Sequence, residues 1–268
     1  MTILRQGSLG AEVRELQRVL AVKGFNVPDT GEYGPDTAAA VRAAQARLGL
    51  VVDGIAGPKT LQALQDGVRN SRLLTDADLI AAADTLGVPL AAIRAVNEVE
   101  SRGHGFLPDG RPVILFERHV MYRQLKAAGH DADALARQFP NLVNEKRGGY
   151  VGKAGEHMRL SQAIAIDEAC ALASASWGLF QVMAYHWQRL EYRSVQDFVA
   201  GMRTSEAAQL EAFVRFVLAD PTLLKALRAR KWATFAELFN GPDYKANLYD
   251  VKLDRAFERY DAQEKAVA

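Results

Sequence analysis

Residues 88–103 read VPLAAIRAVNEVESRG, and the spacing of their apolar side chains decides how the larger part of the chain is built. Pro89 suits the first helical position and Gly103 the residue just past a helix end, so one helix is expected between them. Advancing about 100° per residue, Ile93, Val96, Asn97 and Glu100 fall on one side, and Ala91, Arg94, Glu98 and Arg102 on the other. The two glutamates therefore face opposite ways. Glu98, with Arg94 and Arg102 four residues to either side, reads as a solvated ion-pair face. Glu100 shares the apolar face, where poor hydration and the partial negative charge of the last helical turn both favour its protonated form. A carboxyl that keeps its proton near neutral pH can act as a general acid. The same position also suits a helix-end Glu held by local hydrogen bonds, and helical phase alone leaves both readings open.

Downstream, GFLPDGRPVILFE (105–117) places a Pro-Asp-Gly turn between two short runs, the second β-prone, so a small hairpin is expected. Strand alternation puts Glu117 on the side of Val113 and Leu115. That makes Glu117 a candidate second catalytic carboxylate, since glycosidases generally work with two, about 5 Å apart for retention and about 6.5–9.5 Å for inversion. An ion pair with Arg118 or Arg111 is the alternative. In SWGLFQVM (176–183), Gly178 would allow a ligand close to the backbone, and Gln181 offers donor and acceptor to a polar ligand. Trp177 and Phe180 either line a groove or pack in the core. Asn240, Gly241 and Tyr244 form a late cluster that could equally be a helix-ending turn. Capping-box patterns at Thr75/Asp78 and Thr234/Glu237 predict two further helix starts, and helices dominate from Thr75 onward.

The first 66 residues follow a different rule. GEYGPDTAAAV (31–41) and GIAGPKTLQAL (54–64) share G-x-x-G-P-x-T before a short helix. Val13, Arg14, Gln17 and Leu20 match Val41, Arg42, Gln45 and Leu48 at constant spacing, so the unit is duplicated. Thr37 and Thr60 are expected to serve helix starts whose first N–H groups need an acceptor. Val13, Leu16, Val19 and Leu20 give the first helix one apolar stripe. A small three-helix domain follows, and polar QDGVRNSR after Leu64 marks its end. The expected organisation is residues 1–66, a linker at 67–74, and a mainly helical body at 75–268.

Two resemblances attach to these motifs. GSLGAEVRELQRVLAVKGF, DTGEYGPDTAAAVRAAQ and GLVVDGIAGPKTLQAL together resemble the peptidoglycan-binding type 1 domain over about residues 3–66. That resemblance implies a muropeptide groove with Asp29, Tyr33 and Asp53 as candidate contacts, each of which also reads as a turn residue. VNEVESRGHGF, ILFERH, ASASWGLFQVM and LFNGPDY, in that order, resemble the phage-type N-acetylmuramidases of modular endolysins. More distantly, Glu-Ser, Gly-Leu-x-Gln and Asn-Gly resemble goose-type lysozymes and soluble lytic transglycosylases. The resemblance implies a lysozyme-like, mostly helical domain with Glu100 as the acid and Ser101, Gly178, Gln181, Asn240 and Tyr244 around the substrate. The implied activity is hydrolysis of the β-1,4 bond between N-acetylmuramic acid and N-acetylglucosamine. A lytic transglycosylase on the same bond, or a noncatalytic wall-binding virion protein, would fit the same motifs.

Composition narrows the class without naming it. Lys plus Arg (33) nearly balance Asp plus Glu (32), which argues against nonspecific nucleic-acid binding. The single cysteine, Cys170, lies in an apolar run and reads as a buried thiol. Histidines at 104, 119, 130, 157 and 186 show no metal-ligand spacing, so neither metal nor cofactor is expected. No stretch has the length of a secretory signal core or a membrane span, so synthesis in the host cytoplasm, no membrane insertion and a monomer are expected, with peptidoglycan as partner.

Overall fold

The computed structural model describes residues 3–101 and 103–265, which divide into two compact units, Met1–Ala81 and Ala82–Ala268. The first unit is built on α1 (Ala11–Val22), α2 (Pro35–Leu48) and α3 (Pro58–Asp66). Val13, Leu16, Leu20, Tyr33, Val41 and Leu64 form its core. Gln17 is buried with them, whereas Val19 of the expected stripe is only half-buried.

The reason for a buried glutamine appears twice. Gln17 Nε2 donates to Thr37 Oγ1 (2.9 Å) and the Glu32 carbonyl (2.9 Å), while its Oε1 accepts from Gly31 N–H (2.8 Å). Gln45 repeats this with Thr60 Oγ1 (3.1 Å), the Ile55 carbonyl (3.0 Å) and Gly54 N–H (2.9 Å). Each side-chain amide thus supplies the donors and acceptors that a tight loop cannot satisfy by itself. The loops need Gly31 and Gly54 because both have positive φ, 74° and 71°. This corrects the expectation for Thr37 and Thr60: the N-caps are Gly34 and Gly57, with no side-chain cap, and the threonines face the glutamines instead. The repeat is a loop clamp that happens to precede a helix.

The division between the units falls within α4 (Asp76–Leu86), whose start carries the expected capping box: Thr75 N–H donates to Asp78 Oδ2 (2.8 Å) and Asp78 N–H to Thr75 Oγ1 (3.2 Å). In chain order come α5 (Leu90–Glu100), β1 (Ile114–Phe116), α6 (Arg118–Ala127), α7 (Ala132–Gln138), α8 (Ala154–Ile164) and α9 (Glu168–Ala173). They are followed by β2 (Ala175–Trp177), β3 (Val182–Met183), α10 (Val195–Met202), α11 (Glu206–Leu218), α12 (Pro221–Arg228), α13 (Trp232–Asn240) and α14 (Tyr249–Lys265). Thr234 lies inside α13, whose N-cap is Lys231, so the second capping-box expectation is wrong: the helix starts earlier than the motif suggests.

The β element differs in its pairing. The Pro-Asp-Gly turn closes with Leu107 N–H to the Arg111 carbonyl (2.7 Å) and one bridge, Phe106 to Pro112. The following run then leaves that partner and pairs antiparallel with β2, with Ile114 opposite Trp177 and Phe116 opposite Ala175. β2 pairs in turn with β3, giving a small three-stranded antiparallel sheet. A buried ion pair holds its edge: Glu156 Oε2 accepts from Phe116 N–H (3.1 Å) and Arg159 Nη1 (2.7 Å), and Arg159 Nη1 donates to the Phe116 carbonyl (2.9 Å).

Replacing Gln45 by Leu keeps the volume of the side chain but strands Gly54 N–H, the Ile55 carbonyl and Thr60. A loss of about 2–4 kcal/mol in the first unit is expected, because several buried polar groups lose partners at once. Hydrogen exchange of residues 50–60 in the full chain reads this directly, and unchanged protection would contradict the clamp.

Candidate active site

Glu100 is the last residue of α5, and the chain then turns extended at Ser101 (φ −76°, ψ 135°). Ala92, Ile93 and Val96 are buried beside it on the same helix, and Glu100 itself is only 8% exposed. Burial pushes its pKa from 4.5 to about 7, against the opposing influence of a hydrogen bond from Asn240 and the positive charge of Lys252. The bond runs from Asn240 Nδ2 to Glu100 Oε1 at 3.0 Å. Asn240 ends α13, and Gly241 carries the chain away at φ 86°, ψ −179°, a conformation open in practice to glycine. The late Asn-Gly motif thus has a local cause. The glycine ends the helix so that the preceding amide can reach a carboxyl 140 residues away.

The opposite face of α5 is fixed to α14. Arg94 Nη1 pairs with Glu264 (3.1 Å), and Glu98 accepts from Tyr260 Oη (2.6 Å) and from Arg259. This corrects the expected pairing of Glu98 with Arg94: both groups bind the last helix, and that anchoring helps fix the rotation of α5 that presents Glu100. Arg102 lies outside the described residues.

Glu117 stands just past β1, at the N-cap of α6, and is 6% exposed. Its Oε2 accepts from Tyr150 Oη (2.8 Å), and His119 Nδ1 lies 3.1 Å from the same oxygen but off the line of a hydrogen bond. Arg147 approaches Oε1 at 3.9 Å. Neither expected ion pair forms. Arg118 donates to the Lys146, Arg147 and Pro140 carbonyls, and Arg111 pairs with Asp109 at 2.6 Å. Among the described residues no hydrogen bond or ion pair joins Glu117 to Glu100. Burial lowers the pKa of His119, outweighing the pull of Glu117, so the imidazole is neutral at neutral pH.

Gly178 (φ 73°) makes room for protein. A Cβ there would meet Gln209 at 2.5 Å, and one at Gly105 would meet the same residue at 2.1 Å. Gln209 is buried between the two loops, accepting from Leu179 N–H (2.7 Å) and donating to the Gly105 carbonyl (3.2 Å). Glu206 beside it accepts from Gly105 N–H (2.9 Å). This clamp on the loop after Glu100 was invisible in the sequence. Gln181 sits at φ 52° with its amide spent on the Gly178 carbonyl (2.8 Å) and Ser176 Oγ (3.0 Å). Trp177 and Phe180 are core residues, 1% and 3% exposed. Tyr244 is buried, Ser101 half-buried with its amide on the Asn97 carbonyl (3.2 Å). Burial raises the Cys170 thiol to about 12, which leaves it unreactive.

In the first unit Tyr33 is fully buried, its hydroxyl donating to the Gly54 carbonyl (2.8 Å), so it ties the two loops together and offers nothing to a ligand. Asp53 accepts from Gln45 and from Ile55 N–H (2.8 Å) as a turn residue. Asp29 is paired with Arg18 (3.0 Å) and Arg14 (3.4 Å) at the surface. An open groove of about 730 Å³ between α1 and α3 has an apolar floor that includes Leu16, Val19 and Leu61 and charged residues, among them Glu12, Glu15 and Arg18, around it.

Comparison with known proteins agrees with both units. The family described as N-acetylmuramidase matches residues 89–261, and the putative peptidoglycan binding domain matches residues 10–64. The crystal structure of a Burkholderia AP3 phage endolysin is similar at TM-score 0.94 and 60% sequence identity, over 97% of this chain and 100% of that one. The N-acetylmuramoyl-L-alanine amidase CwlL of Bacillus licheniformis is 44% identical over 66 residues, 24% of this chain and 18% of its own. A probable N-acetylmuramoyl-L-alanine amidase of the same organism is 42% identical over 65 residues, 23% of this chain and 18% of its own. The chain spans about a fifth of the length of these two relatives.

The raised pKa of Glu100 has a consequence for stability. The unfolded chain loses this proton near 4.5 and the folded chain near 7, so the folded state weakens as pH rises through that window. Glu100→Gln removes the penalty while keeping an acceptor for Asn240. The variant is expected to match the parent at pH 4 and exceed it at pH 8, by at most about 3 kcal/mol at ~1.4 kcal/mol per pH unit. Denaturant melts at the two pH values read the difference, and an equal gap at both would contradict it.

Proposed function

Since this chain belongs to the N-acetylmuramidase family, we propose that it acts as a phage endolysin in which Glu100 protonates the glycosidic oxygen between N-acetylmuramic acid and N-acetylglucosamine. The observation that carries this reading is a nearly buried carboxyl, raised to about 7, with a single amide aimed at one of its oxygens. Because Asn240 donates to Oε1, the proton resides on Oε2 and is delivered from there. As the bond from the anomeric carbon to the leaving oxygen breaks, that proton completes the new hydroxyl and Glu100 becomes a carboxylate. The Asn240 hydrogen bond and the charge of Lys252 both favour that form, so they strengthen as the reaction proceeds. Water then adds its oxygen to the anomeric carbon and returns a proton to Glu100. Residues 10–64, in turn, hold the chain on peptidoglycan.

Turnover should fall by about 10²–10⁴ in Glu100→Gln, the usual contribution of a general acid. Mass spectrometry of the muropeptides from the parent enzyme should find the water added, and products one water lighter would replace hydrolysis with transglycosylation. An undiminished Glu100→Gln rate would remove the acid role altogether.

The activity should also fall as pH rises through about 7, as Glu100 loses its proton. Asn240→Ala removes a group that favours the carboxylate, so this alkaline limb should move to higher pH while kcat drops. A limb that stays in place, or moves to lower pH, would exclude Asn240 as its partner.

A chain lacking residues 1–70 should lose more activity on intact sacculi than on short soluble oligomers, because tethering acts through local concentration. Equal losses on the two substrates would contradict an anchoring role.

A further inference from the structure

The segment 147–153, RGGYVGK, is exposed, apolar in part, and held unusually tightly for a glycine-rich loop. Arg118 pins its start through the Arg147 and Lys146 carbonyls (3.0 and 2.9 Å), and Glu156 pins its end through Val151 and Gly152 N–H (2.7 and 2.9 Å). Gly148 (φ 106°) and Gly149 (φ 76°) supply the bend, and Gly149 closely approaches the Arg118 guanidinium. At the crest stands Tyr150, 46% exposed, with its hydroxyl donating to the buried Glu117 carboxylate at 2.8 Å. Arg147, its side chain 75% exposed, lies beside the same carboxylate. These anchors still leave nearly half of the Tyr150 surface open to solvent.

We propose that this loop is a substrate subsite in which the Tyr150 ring, fixed by Glu117, packs against a sugar of the glycan strand away from the bond cleaved at Glu100. A pyranose offers a C–H face bordered by hydroxyl and amide groups, and the loop offers an aromatic face bordered by Arg147 and Glu117. A ring tethered before the ligand arrives loses little further freedom on binding, which is the advantage of a rigid tyrosine at a recognition surface. Glu117 is then a positioning residue: its Oε2 already accepts from Tyr150, and its place at the end of β1 is set by the Glu156–Arg159 pair at Phe116. The subsite rests on the glycan-cleaving function proposed above, but its test does not depend on turnover.

The test uses the full chain carrying Glu100→Gln, so that ligand is bound and not consumed, with chitohexaose and chitobiose as probes. Calorimetry and hydrogen exchange are run with and without sugar. Chitohexaose should bind and slow exchange across residues 145–153. Adding Tyr150→Ala should weaken it roughly three- to tenfold, the scale of one aromatic contact, and abolish that protection. Tyr150→Phe, which keeps the ring and frees it from Glu117, should fall between the two. Chitobiose, too short to span several sugar subsites, should bind much more weakly than chitohexaose. Equal chitohexaose affinity with and without Tyr150, no binding by the parent, or protection confined to other segments overturns the subsite. A Glu100→Gln chain that still cleaves chitohexaose overturns the acid role instead, and the protection of residues 145–153 is then compared with and without Tyr150 in the first seconds, before the sugar is consumed.

Discussion

The carboxyl of Glu100 is taken out of water at the end of α5 and given one neutral hydrogen-bond donor in place of a cation. In the proposed mechanism that choice governs the chemistry. A guanidinium at the same distance would hold the group ionised and useless as an acid, whereas an amide orients it and leaves the desolvation cost in force. Much of the second unit serves the placement. α14 fixes the rotation of α5 through Arg94 and Glu98, Gly241 ends α13 where its amide can reach, and Gln209 and Glu206 hold the loop that follows.

Buried polar side chains acting on loops recur throughout the molecule. Gln17 and Gln45 clamp the two repeats of the first unit, Gln209 locks Gly105 against the Gly178 turn, and Glu156 with Arg159 fixes the edge of the sheet. A loop held this way keeps its shape without a thick apolar cover, so it can lie at a surface and still present a defined geometry. Removing any one of these groups leaves several backbone partners unsatisfied, which costs far more than a single hydrogen bond contributes.

The sequence disclosed what depends on local periodicity. The helix of Glu100, its separation from Glu98, the duplicated unit and the Thr75 cap all follow from spacing within a few residues. Asn240 stands out only through the order of motifs in a resembled family, as a neighbour of the substrate, and its bond to Glu100 is not foreseeable, because 140 residues separate the partners. Gln209 was not legible at all, since its ligands lie 30 and 104 residues away and nothing beside it marks it. Tyr33, Trp177 and Phe180 stay open in the sequence between ligand contact and structural role for the opposite reason: an aromatic near a glycine has the same local signature whether it faces sugar or the core. Tyr150 was passed over because a glycine-rich loop carries no period, and its significance depends on Glu117 reaching it from 33 positions earlier.

An acid at Glu100 must hold its proton near neutral pH, and titrating that carboxyl reads this without turnover. With glutamate labelled at the side-chain carboxyl carbon, the Glu100 resonance is assigned by its disappearance in Glu100→Gln and followed across pH in the intact chain. A buried Glu100 hydrogen-bonded to Asn240 should show a midpoint near 7, far from the ordinary 4.5. A midpoint at 4.5 would mean that the group is ionised at working pH, and the acid would have to be sought elsewhere.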